Sequence, residues 1–195
     1  MPPMIRALLI ANVAVFFLAP FFGPAFFGTF ALWPLGSGLF MPWQVLSYGF
    51  LHAGLTHLAF NMFGLWMFGA ELERVWGSRR LGIFFAISVL VAALAQLLVT
   101  AWMGSNAPTV GASGGLFGLL IGFAMVFPTR KVFLLFLPIP LAAPVFVAFY
   151  GLIELALGVT GSASGVAHFA HLGGLLGGWL TIRYWRGQMP FGSRR

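Results

Sequence analysis

Apolar runs long enough to cross a membrane recur along this chain, and every basic residue falls into alternate gaps between them. A helix needs about 20 predominantly apolar residues to cross a hydrocarbon core of ~30 Å. Six stretches are candidates: about 5–22, 52–71, 81–102, 113–128, 132–157 and 167–185. Arg6 lies at the start of the first, and Arg74, Arg79 and Arg80 lie between the second and third. Arg130 and Lys131 join the fourth to the fifth, and Arg183, Arg186, Arg194 and Arg195 close the chain. The intervening segments 23–51, 103–112 and 158–166 contain no Lys or Arg. An even number of spans is required for this sorting, and the excess of positive charge marks the cytoplasmic side. The expected fold is an all-α membrane protein, a six-transmembrane-helix bundle with both termini cytoplasmic.

Composition supports that reading. The chain is 61% hydrophobic and 7% charged, and a soluble domain of 195 residues has no interior large enough to hide so much apolar surface. No small-residue cleavage site in a polar context follows Pro20-Phe21-Phe22-Gly23-Pro24, so the first stretch reads as a retained helix. The fourth stretch is short and ended by Pro128. The fifth carries Pro138, Pro140 and Pro144, so its first part is expected to bend or to lie outside the regular helix. Segment 23–51 holds Trp33, Phe40, Trp43, Tyr48 and Phe50, aromatic residues suited to the headgroup level of a bilayer. No internal repeat, low-complexity tract or linker divides the sequence, which reads as a single domain, 1–195.

Absent residue types narrow the chemistry. There is no cysteine, hence no thiolate nucleophile or cysteine metal site, and no aspartate. An aspartyl protease and a Ser-His-Asp triad are both excluded. The net charge of +7 is spread over short loops rather than a basic helix face, so membrane topology explains it and nucleic acid is not an expected partner.

Three polar clusters remain. Ser113, in Gly111-Ala112-Ser113-Gly114-Gly115, opens the fourth segment. A rise of ~1.5 Å per residue puts it roughly 25 Å above the cytoplasmic flank at Arg130, in the outer third of the membrane. It suits a nucleophile there, although serine and glycine also serve simple helix packing. His171, in Ala170-His171-Leu172-Gly173-Gly174, lies in the sixth segment, where an ionisable residue is costly and usually functional. Gly174 and Gly178 share its face, and Gly114, Gly118 and Gly122 form a matching stripe. Two such stripes allow the close crossing that would bring His171 to Ser113. A histidine satisfied by a backbone carbonyl is the plainer alternative. In the second segment His57 and Asn61 stand four residues apart on one face, suited to an oxyanion site or to an interhelical hydrogen bond.

Taken together, His57-Leu58-Ala59-Phe60-Asn61, Gly111-Ala112-Ser113-Gly114 and Ala170-His171-Leu172-Gly173-Gly174 resemble the rhomboid family of intramembrane serine proteases. The resemblance covers all six segments and implies a rhomboid-like bundle. It implies Ser113 as nucleophile and His171 as base of a catalytic dyad. It also implies an oxyanion site of His57, Asn61 and the Ser113 backbone N–H, with Phe117 packing against the base. The implied activity is intramembrane endopeptidase cleavage of single-span transmembrane proteins, with the lipid bilayer as solvent and no cofactor or metal. A bacterial plasma membrane is the expected location. A non-catalytic, client-binding member of the same superfamily is the alternative.

Where many members carry Trp-Arg in the first outer loop, this chain has Trp43-Gln44, which puts loop anchoring in question. The remaining polar residues receive structural assignments. His52 is expected to fix a loop by hydrogen bonding, and His168 to pack or to line a water entrance. Glu71 and Glu73, beside Arg74 near the inner interface, are expected to form a cap and charge pair. Glu154 is expected to reach the outer surface, leaving no carboxylate to orient His171. A haem or metal protein built on His57 and His171 and a transporter are weaker readings, for want of His-Glu-x-x-His and of internal repeats.

Overall fold

The computed structural model describes residues 1–134, 137–160 and 167–188. Helix α1 (Pro3–Leu18) starts at a proline, whose missing N–H is no loss at the first helical position. It tightens into a 3₁₀ turn over Ala19–Phe22, and α2 (Pro24–Phe30) follows. The short α3 (Gln44–Ser47) lies within the long first loop. Then α4 (Leu55–Gly64), a π-helical stretch over Leu65–Gly69 and α5 (Ala70–Trp76) run on without a break. The longest element, α6 (Ser78–Met103), ends at Gly104 in the left-handed conformation. After it come α7 (Ser113–Val126), strands β1 (Lys131–Leu134) and β2 (Leu137–Ala142), α8 (Ala143–Thr160) and α9 (His168–Trp185).

Among the described residues, three helical stretches are long and apolar enough to cross a membrane: Pro3–Phe22, Ser78–Met103 and Ala143–Thr160. Helix α7 is apolar but shorter. At ~1.5 Å per residue α6 extends about 39 Å, ample for a 30 Å core. Residues 161–166 of the segment 158–166 and the closing Arg194 and Arg195 lie outside the described residues.

Two expectations about the elements change. The second helical run spans 55–76 rather than 52–71, because residues 51–54 are not helical and the helix continues through the charged turn to Gly77. The fifth stretch divides, so the chain is not purely helical. Residues 131–142 form an antiparallel hairpin with Lys131 opposite Ala142 and Val132 opposite Leu141. Pro140 faces Phe133, a position that a proline tolerates because this two-stranded pair has free edges. Regular helix begins only at Ala143, with Pro144 in its first turn, where a proline does no harm.

Helix α9 packs against α6, α7 and α8. Its two glycine pairs face different neighbours. At Gly174 a methyl would overlap the Gly114 carbonyl of α7, and at Gly178 it would come within 2.9 Å of the Gly118 carbonyl. On the other side, a methyl at Gly173 would come within 2.9 Å of Ala92 Cα in α6. Backbone-to-backbone approach of this kind is available only to the smallest side chains.

Polar ties fix the ends of the bundle. The buried Glu73 carboxylate accepts the backbone N–H groups of Met4 and Ile5, each at 2.8 Å, and the Ser78 hydroxyl at 2.7 Å. It thereby caps α1 and fastens α6 as well, so the cap expected of this acidic pair is made to neighbouring helices. Glu71 pairs with Arg74 as foreseen. On the opposite end Gln44 is fully buried. Its amide donates to the carbonyls of Thr29 (3.2 Å) and Leu39 (3.1 Å), and its oxygen accepts from Trp33 N–H (3.2 Å). The loop is therefore anchored through a neutral amide in place of an arginine. Leu32 and Thr109 exchange both backbone bonds, and Gly111 N–H donates to the Tyr48 carbonyl at 3.0 Å. The Tyr48 hydroxyl donates to the Val89 carbonyl at 2.9 Å, and burial pushes its pKa well above the usual phenol range, so it stays a neutral donor. These bonds lead directly to Ser113.

Candidate active site

Ser113 is the first residue of α7, reached through a turn that only glycine makes comfortably. Gly111 has φ +129°, and a side chain there would press within 2.8 Å of the His57 ring. Its missing Cβ thus lets the turn form and lets His57 of α4 lie beside the Ser113 hydroxyl. The first N–H groups of any helix lack intrahelical acceptors, and Ser113 stands at that position in α7.

Helix α9 brings His171 to this point. Its Nε2 lies 2.8 Å from Ser113 Oγ, within hydrogen-bond distance. The imidazole stacks on Phe117, one turn after Ser113, with centroids 4.3 Å apart and planes only 6° from parallel. The glycine contacts between α7 and α9 account for the closeness: both backbones approach until the two side chains meet. Ser113, His171, His57 and Phe117 are therefore brought together.

Asn61 is buried one turn below His57 and donates its amide to the His57 carbonyl at 2.9 Å. In this arrangement one of its two N–H groups holds its own helix, and its Oδ1 has no partner among the described residues. His52 is buried with its ring edge-on to His57, centroids 5.0 Å apart. Its loop interaction is with the Phe50 backbone, without a well-aligned hydrogen bond at either ring nitrogen.

The expectations for Glu154 and for the back of His171 are overturned. Glu154 is 8% exposed and points into the bundle. Its Oε2 is 2.6 Å from His168 Nδ1 and 2.9 Å from His171 Nδ1. The contact with His168 is a hydrogen bond, whereas His171 Nδ1 approaches the carboxylate without meeting hydrogen-bond geometry. His168 is buried, so it does not line a water entrance. One sequence signal could have revealed this: a lone carboxylate in an apolar helix is too costly to leave without a partner. The three side chains hold their ligating atoms within 4.8 Å of one another, a donor set that a divalent metal could also use.

A family model described as the Rhomboid domain matches residues 39–187, which covers α3 to α9. Among curated proteins, the chain is 30% identical over 140 residues to Rhomboid protease GluP of Bacillus subtilis (strain 168), covering 71% of this chain and 25% of that protein. It is 33% identical over 145 residues to RHOMBOID-like protein 4 of Arabidopsis thaliana, covering 71% and 32%. It is 35% identical over 146 residues to Rhomboid protein 1, mitochondrial, of Saccharomyces cerevisiae (strain ATCC 204508 / S288c), covering 70% and 40%. The aligned part of the chain thus spans between a quarter and two fifths of these relatives.

Proposed function

The chain belongs to the rhomboid family, an integral-membrane family made up generally of intramembrane serine proteases, and from that premise we propose that it is itself an intramembrane serine endopeptidase. The observation that carries this proposal is the 2.8 Å approach of Ser113 Oγ to His171 Nε2 inside an apolar helical bundle. A serine hydroxyl is a weak nucleophile unless a base stands within reach of its proton.

In the proposed cycle His171 Nε2 accepts the Ser113 proton as Oγ attacks the scissile carbonyl. The oxyanion is met by the Ser113 N–H, His57 and the second amide hydrogen of Asn61. Donors placed where charge develops are often the largest single contribution to acyl-transfer catalysis. Collapse breaks the C–N bond, and Nε2 passes its proton to the departing amine. Water then attacks the acyl-enzyme by the same route. Phe117 holds the imidazole plane throughout.

The proposed substrates are single-span membrane proteins. A helix hides its carbonyls in hydrogen bonds, so segments weakened by glycine or proline are the expected cleavage sites. The whole chain, 1–195, acts in this proposal as one domain of six spans with both termini cytoplasmic, in a bacterial plasma membrane. The Glu73 cap that binds α1 to α5 and α6 supports the single domain.

The test is cleavage in proteoliposomes of a single-span substrate carrying a Gly-Pro segment, beside a poly-Leu version. Wild type should cut the first much faster than the second, and Ser113→Ala and His171→Ala should cut neither. Stable capture of the substrate without any cleavage by wild type would favour the client-binding alternative.

A further inference from the structure

The cycle above uses one edge and one face of His171 and leaves its Nδ1 edge without a role. The Nδ1 edge faces Glu154, the only acidic residue in the sequence outside the Glu71/Glu73 pair. A carboxylate in an apolar helix is retained only where it is paired, and this one is paired with the base itself and with His168. Resting on the serine-protease proposal, we propose that Glu154 is a positioning residue that converts the Ser113–His171 dyad into a Ser–His–Glu relay, with His168 holding the carboxylate in place.

Two observations support the assignment. An ionised carboxylate only accepts hydrogen bonds, so at 2.9 Å it favours the proton on His171 Nδ1. Nε2 is then the lone-pair nitrogen, and it is Nε2 that lies 2.8 Å from Ser113 Oγ. Second, the aligned bond from His168 Nδ1, at 2.6 Å, fixes the carboxylate rotamer. His168 Nε2 has no partner among the described residues, which fits a neutral ring that donates through Nδ1 and leaves the negative charge on Glu154. The approach of Glu154 to His171, close but short of hydrogen-bond alignment, is compatible with a resting site. Catalytic hydrogen bonds are often long or misaligned until the reacting complex forms.

The proton balance is simple. The Ser113 proton moves to Nε2 and later to the leaving amine, the Nδ1 proton stays on His171, and Glu154 remains ionised throughout. Its work is to select the tautomer and to face the imidazolium while that cation exists.

The experiment uses full-length protein in proteoliposomes with the Gly-Pro substrate, comparing wild type, Glu154→Gln and Glu154→Asp. Nitrogen-15 NMR of labelled histidine accompanies the kinetics. The chain has four histidines, so the His171 signals can be assigned by their loss in His171→Ala. Expected in wild type is an Nδ1-protonated His171. Glu154→Gln, which presents an amide able to donate to Nδ1, should shift His171 toward the Nε2-protonated form. It should also lower kcat by at least 100-fold with KM nearly unchanged; the analogous acid-to-amide change in a Ser-His-Asp triad costs about 10⁴ in kcat. Glu154→Asp keeps the charge and should recover most of that loss.

A Glu154→Gln protein that turns over within threefold of wild type overturns the relay. So does an Nε2-protonated His171 in wild type, a result that stands even where the Gln variant fails to fold. If wild type shows no Ser113-dependent cleavage, the protease proposal fails and the relay with it. Active wild type with an unaffected Gln variant removes the relay alone.

Discussion

Phe117 contributes to the candidate site through shape rather than charge. A parallel ring at 4.3 Å restricts rotation of the imidazole about the axis that would carry Nε2 away from Ser113. Aromatic pairs of this kind contribute about 0.5–1.5 kcal/mol beyond burial, and 1.4 kcal/mol is a factor of ten in rate. Phe117→Ala should therefore lower kcat roughly tenfold while leaving KM within a factor of two, measured on the reconstituted substrate. Phe117 was legible only through the family resemblance, which places an aromatic residue one turn after the serine, whereas His57 and Asn61 could be paired by helical periodicity. Glu154 could not. With a helix assumed over 132–157 it stood beside the outer end, where a carboxylate reaches water. The actual helix starts at Ala143 and runs to Thr160, which draws Glu154 inward to the level of His168 and His171. A shifted helix boundary, not the residue's chemistry, hid its partners.

Among the elements, α9 governs whether the site forms. Its Gly174 faces the Gly114 carbonyl so closely that the missing Cβ sets the spacing of α7 and α9. Gly174→Ala has backbone on the opposing side, and backbone cannot swing aside as a side chain would. Overpacking of this kind costs typically 1–3 kcal/mol, so the variant should unfold at lower temperature and lose most of its turnover. By contrast Gly64→Ala, which meets only the tip of Leu116, should be tolerated; parallel melting curves in detergent check the pair. Small-residue stripes were legible because they recur at helical spacing. The hairpin at 131–142 was not, since hydropathy registers apolar residues in a strand and in a helix alike. Its prolines announced an interruption without specifying its form.

Over the whole molecule, the sorting of charge and the absence of cysteine permit a direct test of topology. Single cysteines placed at Lys131 and Gln188, both exposed inner-side positions under the proposed weave, should react only with a reagent that enters from the cytoplasm. A cysteine at the exposed Ala107 should react from the outside. Labelling of Ala107→Cys from the same side as Gln188→Cys would overturn the six-span arrangement. The arrangement bears on chemistry because it sets the depth of Ser113 and therefore the water available to it. The family could be recognised from three short motifs, since their order and spacing already specify which helices must meet. The distances at which they meet depend on packing between residues far apart in the chain, from Glu73 at one end to Gln44 at the other.

Reaction of the purified protein with a fluorophosphonate, followed by mass spectrometry of its peptides, tests the central claim most directly, because it needs no knowledge of the natural substrate. A single phosphonylated residue at Ser113 in wild type, lost in both Ser113→Ala and His171→Ala, is the predicted result. Labelling that persists in Ser113→Ala, or a folded wild-type protein that takes up no probe, would contradict the assignment of Ser113 and His171 as nucleophile and base.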